Sequence, residues 1–190
     1  MLPSHFIADN LPGNTGYTWT LTTRLGAILR EVESCYGARD QTWTILGVEF
    51  GPNNPRLWYP GDCKHIAIQL AMNAADNIGF ACYQIAHECI HLLSPCGGKS
   101  AILIEEGLAT VFSEDYAKRE FQMTVAASLA SYTNAAKLVR ELLSLEPNAI
   151  RMLRGIAPSF HNFTPDTFVQ AGLNAPQELI SELLVPFSRE

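Results

Sequence analysis

The segment AADNIGFACYQIAHECIHLL, residues 74–93, carries the strongest structural signal in this sequence of 190 residues. Its apolar residues recur with the spacing of an α-helix, and the segment is apolar on nearly every side, which predicts a buried helix. The long apolar face consists of Ile78, Cys82, Ile85, Cys89 and Leu92 or Leu93. The following SPCGG, residues 94–98, combines a proline with two glycines and is expected to end the helix sharply.

The end of this segment reads His87-Glu88-Cys89-Ile90-His91 and satisfies the pattern H-E-x-x-H. Residues four apart on a helix project from the same face, so the imidazoles of His87 and His91 can reach one tetrahedral metal ion. Glu88 can take a proton from a water molecule in the metal's open position without being a ligand itself. The alternative is a helix whose histidines are only hydrogen-bonded at its surface. The apolar neighbours favour the metal site, because buried paired histidines need partners.

A catalytic zinc ion needs a third protein ligand, and Glu105 and Glu106 are the candidates. They lie on the next predicted helix, residues 101–118. Each shares a helix face with the small Ala109, so the helical periodicity does not show which of the two is the ligand. Gly107 is also small, which would let this helix pass close to the HExxH helix. The alternative is a solvated charge pair at a helix start, where the helix dipole favours carboxylates.

Together, HECIH and the downstream EEGLATVFSE, residues 105–114, resemble the zincin metallopeptidases of the gluzincin type. The resemblance implies a zinc-dependent hydrolase, most simply a peptidase, in which Zn²⁺ is bound by His87, His91 and Glu106. Glu88 would be the general base. The strands predicted within residues 42–70 would include the edge strand along which an extended peptide or protein substrate lies.

Two features depart from that pattern. Only fourteen residues separate His91 from Glu106, which implies a tight turn between the two helices. The position four residues after Glu106 is Thr110 rather than an acidic residue that could orient a histidine. The partner that orients the histidines therefore stays open, with Glu105, Glu114 or a backbone carbonyl as candidates.

Further site residues are open as well. Such enzymes often place a tyrosine or histidine opposite the metal to stabilise the oxyanion, and the chain offers Tyr116, Tyr132 and His161. A thiolate ligand from Cys89 or Cys96 is chemically conceivable, although Cys89 is expected on the face away from the histidines, as a small core residue.

The expected fold is α+β and zincin-like, a small antiparallel sheet followed by an active-site helix pair and a helical C-terminal region. We expect a single domain over residues 1–190. About 1–96 would hold the N-terminal helix, the sheet and the HExxH helix, and about 97–190 would be all-helical and carry the third ligand. The remaining predicted elements are a helix over 20–36, two or three strands within 42–70, a helix over about 123–145, and three short helices after it. Arg151 and Arg154 share a helical spacing typical of a solvated face.

The amino-acid composition limits which classes of partner and which cellular compartment are expected. The net charge of -6 and the absence of a basic patch argue against a nucleic-acid partner, and weakly favour neutral or basic substrates. No stretch reads as a secretory signal or a membrane span, so no membrane partner is expected. Five cysteines without CxxC spacing argue against a disulfide framework and favour the cytoplasm.

Two other functions compete with the zinc hydrolase. In the first, the zincin scaffold keeps its metal but serves as a regulatory or binding module with little turnover. In the second, the chain is a metal-free helical domain and HECIH is coincidental. The metal content of the purified protein separates the second from the other two.

Overall fold

The structure is a computed structural model that describes residues 20–125 and 129–189. This part of the chain forms seven α-helices and a three-stranded sheet. The helices are α1 (Leu21–Tyr36), α2 (Ile78–His91), α3 (Leu103–Phe121), α4 (Ala130–Leu145), α5 (Ala149–Ile156), α6 (Pro165–Gln170) and α7 (Gln177–Leu183), and the strands are β1 (Thr44–Gly51), β2 (Arg56–Trp58) and β3 (His65–Ala71). The predicted α+β class is confirmed.

The sheet is mixed, so the prediction of a fully antiparallel sheet was wrong. Its order is β1-β3-β2, in which β1 pairs with β3 in parallel and β2 pairs with β3 antiparallel. Strand β3 carries three fully buried side chains, Ile66, Ile68 and Leu70, and such an apolar strand takes the central position. Alternating hydrophobicity shows where strands lie, but it does not show which strands are neighbours.

The positions of the central helices follow the predicted pattern. Helix α2 begins after Asn77, whose side chain accepts a hydrogen bond from the backbone N–H of Phe80. The helix predicted over about 123–145 begins only at Ala130, and residues 126–128 lie outside the described part of the chain. Within the described residues, none of the helices combines the length and the apolar character that crossing a membrane requires.

Helix α3 packs closely against α4 at Gly107. A Cβ atom at this position would meet the backbone carbonyl of Ala135 and would lie 2.6 Å from Cγ2 of Val139. The expected close approach of α3 at Gly107 is therefore real, but its partner is α4 rather than the HExxH helix. Because Glu106 precedes Gly107 in α3, this contact with α4 also helps to set the position of Glu106.

We expect Gly107→Ala to lower the free energy of unfolding by about 1–3 kcal/mol, because the added methyl group overlaps backbone that cannot easily move. Urea denaturation monitored by circular dichroism measures the change. Gly155→Ala is the matched control: Gly155 is exposed on α5, and nothing lies within 4 Å of an added Cβ. That variant should be neutral or more stable by up to about 1 kcal/mol. Equal effects of the two substitutions would contradict the packing explanation.

Arg154 does not lie on a solvated face, contrary to the expectation from its spacing. Its side chain is only 6% exposed, and the guanidinium donates hydrogen bonds to backbone carbonyls of three separate segments. The acceptors are the carbonyl oxygens of Tyr36, Gly37, Ala38, Leu93 and Pro158, at 2.7–3.2 Å. Arg154 thus ties the chain after α1 to the chain after α2.

Arg154→Met should therefore lower the free energy of unfolding by about 3 kcal/mol or more, because buried carbonyls lose their donor. The control is Arg151→Met on the same helix, at an exposed arginine that donates to the carbonyls of Ser34 and Cys35. We expect less than about 1 kcal/mol there. Thermal and urea unfolding of both variants test the difference. A loss of stability below about 1 kcal/mol in Arg154→Met would show that water can replace the guanidinium as the hydrogen-bond donor.

Candidate metal centre

Two histidines of α2 and one glutamate of α3 converge on one point. Nε2 of His87 lies 3.3 Å from Oε2 of Glu106, and Nε2 of His91 lies 3.8 Å from the same oxygen. One ligand atom from each of the three residues can be chosen so that all lie within 4.8 Å of one another. The histidines point to a common site because they are four residues apart on a helix, and Glu106 reaches it from the first turn of α3.

The surroundings of Glu106 fit a bound cation. The residue is 7% exposed, and its Oε2 atom is buried without a hydrogen-bond partner in the described part of the chain. A buried carboxylate oxygen with no donor is costly unless a positive charge lies beside it, and here either a metal ion or a protonated histidine can supply that charge. Two imidazole nitrogens and one carboxylate oxygen form a donor set that zinc accepts, with a fourth position left open. The residues present therefore fit a catalytic zinc site.

Glu105 contacts His91 from outside this group. Its Oε1 atom lies 2.8 Å from Nδ1 of His91, and the residue is 2% exposed. If Nδ1–H donates to this carboxylate, Nε2 keeps its lone pair for a metal, which is the arrangement that supporting carboxylates give to metal-binding histidines. Glu105 is thus not a solvated charge. Glu114, the other acidic candidate for this role, forms an ion pair with Arg140 instead.

Burial and charge shift the pKa values of the site residues in opposite directions. Glu88 is 3% exposed, and its desolvation raises the pKa of the carboxyl group despite the nearby histidines. Burial would also raise the pKa of Glu106, but the charges of His91 and His87 outweigh it and lower the pKa. Burial would lower the pKa of His91, yet Glu106 and Glu105 raise it. Without a cation, Glu106 and His91 therefore form a carboxylate–imidazolium pair.

Two cavities meet at the HExxH helix. Both cavities are lined by the same four residues, Pro55, His87, Glu88 and Arg189. The smaller cavity, of about 240 Å³, extends toward α4 and includes Tyr132. The larger cavity, of about 450 Å³, includes all the residues of the metal group. Glu88 therefore borders both cavities, although it is only 3% exposed.

One edge of the sheet forms a wall of the larger cavity. Strand β2 is at the edge, because the sheet order places β3 on only one side of it. Arg56 and Leu57 of this strand line the cavity, and Tyr59 follows them. An exposed edge offers unpaired backbone groups to another extended chain.

The candidates for oxyanion stabilisation have different positions. Tyr132 lines the smaller cavity, with its ring centroid 6.1 Å from that of His87. Tyr116 is 3% exposed and packs against Phe112 and Phe121, away from both cavities. Nδ1 of His161 lies 3.9 Å from Oε2 of Glu105, and His161 lines neither cavity.

The cysteines do not join the metal group. Cys89 is completely buried in the core, as its place on the helix predicted. Cys96 lines the larger cavity, but its thiol donates a hydrogen bond to the carbonyl of Lys99, at 3.1 Å. Neither sulfur belongs to the group formed by the two histidines and Glu106.

Sequence reasoning missed one residue of the cleft, Arg189. The chain around Pro186 pairs antiparallel with Ile102, and the N–H of Leu103 donates to the carbonyl of Val185 at 2.9 Å. This pairing carries Arg189 to the junction of the cavities, where its charge favours the ionised form of Glu88. No motif marks Arg189, because the pairing joins segments more than eighty residues apart.

The geometry of this centre is the basis for a functional assignment. The described residues join a metal-binding donor set, a buried carboxylate and an adjacent cleft. Comparison with known proteins adds no assignment, since the chain matches no family model, no curated protein and no solved structure.

Proposed function

We propose that the chain is a zinc-dependent hydrolase of zincin-like fold that cleaves peptide bonds. The observation that carries the proposal is the convergence of His87, His91 and Glu106 on one point, with the buried Glu88 beside it in a cleft. A catalytic zinc site has this composition: three protein ligands, an open position and a neighbouring base.

Each residue of the site has a role in this scheme. His87, His91 and Glu106 would hold the zinc ion, which when bound supplies a Lewis acid and lowers the pKa of a coordinated water. Glu88 accepts a proton from the attacking water and returns it to the leaving amine, a task that suits a carboxylate with a raised pKa. Glu105 keeps His91 in the required tautomer and orientation.

Tyr132 is the best-placed residue to stabilise the oxyanion. It lines the cleft beside His87, and burial together with the negative charge of Glu106 raises the pKa of its hydroxyl to about 12. The hydroxyl therefore stays protonated at neutral pH and can donate a hydrogen bond to an oxygen that gains negative charge. The edge of β2 on the other side of the cleft would pair with the backbone of an extended substrate.

The test is a hydrolysis screen with the zinc-loaded protein, using unfolded casein and a mixture of blocked peptides, followed by mass spectrometry. We expect new peptide termini that are lost after chelation and restored by one equivalent of zinc. Cleavage that persists undiminished after the metal has been removed would contradict the mechanism.

The regulatory or binding module remains the second candidate, and the length of β2 favours it. This strand has only three residues, so it offers few backbone hydrogen bonds with which to hold a substrate chain for reaction. This candidate predicts one bound zinc per chain and peptide binding without turnover. The same screen, combined with a binding assay on the same peptides, separates the two.

A further inference from the structure

We propose that the larger cavity recognises a carboxylate group of the substrate through Arg56, Lys99 and Arg189. This inference deepens the proposed function and rests on it for the assignment of the cleft as a substrate site. It concerns which substrate binds and not how the bond is broken. All three cations line the same cavity as the metal group.

The carboxylates of that cavity are already engaged. Glu105 is bound to His91, and Glu106 lies between the two histidines. Glu88 is 3% exposed and is held at the bottom of the cleft. These groups serve the centre itself, and none of them forms an ion pair with the three cations.

Arg56 and Arg189 are hydrogen-bonded to uncharged groups, and Lys99 is exposed to solvent. Nε of Arg56 donates to the amide oxygen of Gln69 at 3.0 Å, and its guanidinium lies 4.7 Å from the ring of Trp58. Arg189 hydrogen-bonds with the hydroxyl of Tyr132. Lys99 is exposed.

The ion pairs found within residues 20–125 and 129–189 include none of these three cations. Arg189 acts on Glu88 and Glu106 at longer range, but none of the three cations is held in an ion pair of the described chain, so each can contact a ligand. Arginine in particular binds carboxylates through two parallel hydrogen bonds.

Local charge, not net charge, decides what this cavity attracts. The whole chain carries a net charge of -6, which by itself would favour neutral or basic substrates. At a distance beyond about 8 Å, however, salt screens exposed charges from one another, so the rim of the cavity dominates at contact. A carboxylate on the substrate can come from an acidic side chain or from a free carboxyl terminus, and both would bind these cations.

The experiment measures peptide binding to the zinc-loaded, full-length Glu88→Gln protein, in which cleavage should be suppressed. Three sets of decapeptides serve as probes. The first set is acetylated and amidated and carries one glutamate at each position in turn. The second set carries glutamine in its place. The third set has no acidic side chain but has a free carboxyl terminus.

We expect at least one glutamate position to bind about fivefold more tightly than its glutamine counterpart, with the difference shrinking in 0.5 M salt. Tighter binding of the third set alone would instead identify the terminal carboxylate as the recognised group. Lys99→Glu and Arg189→Glu, each added to Glu88→Gln, should abolish or reverse the preference. Lys137→Glu is the matched control, because Lys137 is exposed on α4 and lines neither cavity.

Equal affinity for all three sets, or a preference that survives both Lys99→Glu and Arg189→Glu, would overturn the inference. Its failure is distinguishable from that of the proposed function. Selective binding to Glu88→Gln without hydrolysis by the wild-type protein would leave the carboxylate site intact and remove the hydrolase. Hydrolysis by the wild-type protein without a preference for carboxylate-bearing peptides would support the hydrolase and remove the carboxylate site.

Discussion

Replacing Glu88 by glutamine should leave one zinc ion bound per chain and reduce peptide hydrolysis by about 10²- to 10⁴-fold, the contribution that general acid–base catalysis usually makes. Glu88 is not a member of the ligand group, so the metal should stay. Glutamine has nearly the same shape and fits a position that is 3% exposed. It cannot accept the proton of the attacking water, and so the expected loss is in kcat rather than in KM.

The measurement combines elemental mass spectrometry of the purified variant with steady-state kinetics on a peptide found in the screen. Glu114→Gln provides the matched control, because Glu114 is a glutamate of α3 that pairs with Arg140 away from the cleft. That variant should keep both zinc and activity. Full activity of Glu88→Gln would rule out Glu88 as the base, and loss of its zinc would place it among the ligands.

Replacing Glu106 by alanine should remove the bound zinc. The free energy of zinc binding to structural sites with four ligands is about 10–16 kcal/mol, which is about 2.5–4 kcal/mol per ligand, or roughly a 70- to 900-fold loss of affinity when one ligand is removed. Glu105→Ala should weaken binding only about 10- to 100-fold, because Glu105 acts through His91. Competition with a chromophoric chelator measures both affinities on the same scale.

The two outcomes of this comparison have distinct meanings. Retention of zinc by Glu106→Ala with complete loss in Glu105→Ala would exchange the two assignments. Unchanged affinity in both variants would mean that neither carboxylate is at the metal. Glu114→Ala controls for the removal of a negative charge from α3, and its zinc affinity should not change.

The affinity of the site should fall as the pH falls. In the metal-free protein the pKa of His91 is raised, because Glu106 and Glu105 outweigh its burial, so the ring is protonated at neutral pH. Zinc requires the neutral imidazole and must displace this proton. Affinity should therefore drop about tenfold for each pH unit below the raised pKa. Calorimetry in buffers of different ionisation enthalpy should detect the release of one proton.

Much of the centre could be predicted from the sequence, because its geometry is helical. Four-residue spacing places His87 and His91 on one face wherever α2 forms, and the apolar run that predicts α2 is unambiguous. The choice between Glu105 and Glu106 was harder. Neighbouring residues on a helix point about 100° apart, and here both are buried and both approach His91, one on each side of its ring.

The features that could not be predicted depend on contacts between distant parts of the chain. The central place of β3 between β1 and β2 depends on which strands meet, and one strand's pattern does not contain that information. Arg154 resembles a surface residue until the carbonyls of two remote segments, at residues 36–38 and at Leu93, accept its hydrogen bonds. Arg189 enters the cleft only because its segment pairs with the start of α3.

All three candidate metal ligands lie within the twenty residues from His87 to Glu106, on two helices joined by one loop. Closing so short a loop costs little entropy, and contacts that are local in sequence form fast during folding. On the ribosome, the complete set of candidate ligands is available once Glu106 has emerged, before α4 to α7 have left the exit tunnel. An ion captured at that moment would fix the angle between α2 and α3. The segment that carries Arg189 is made after both helices of the centre, so it is added to a cleft whose histidines and glutamates are already in place.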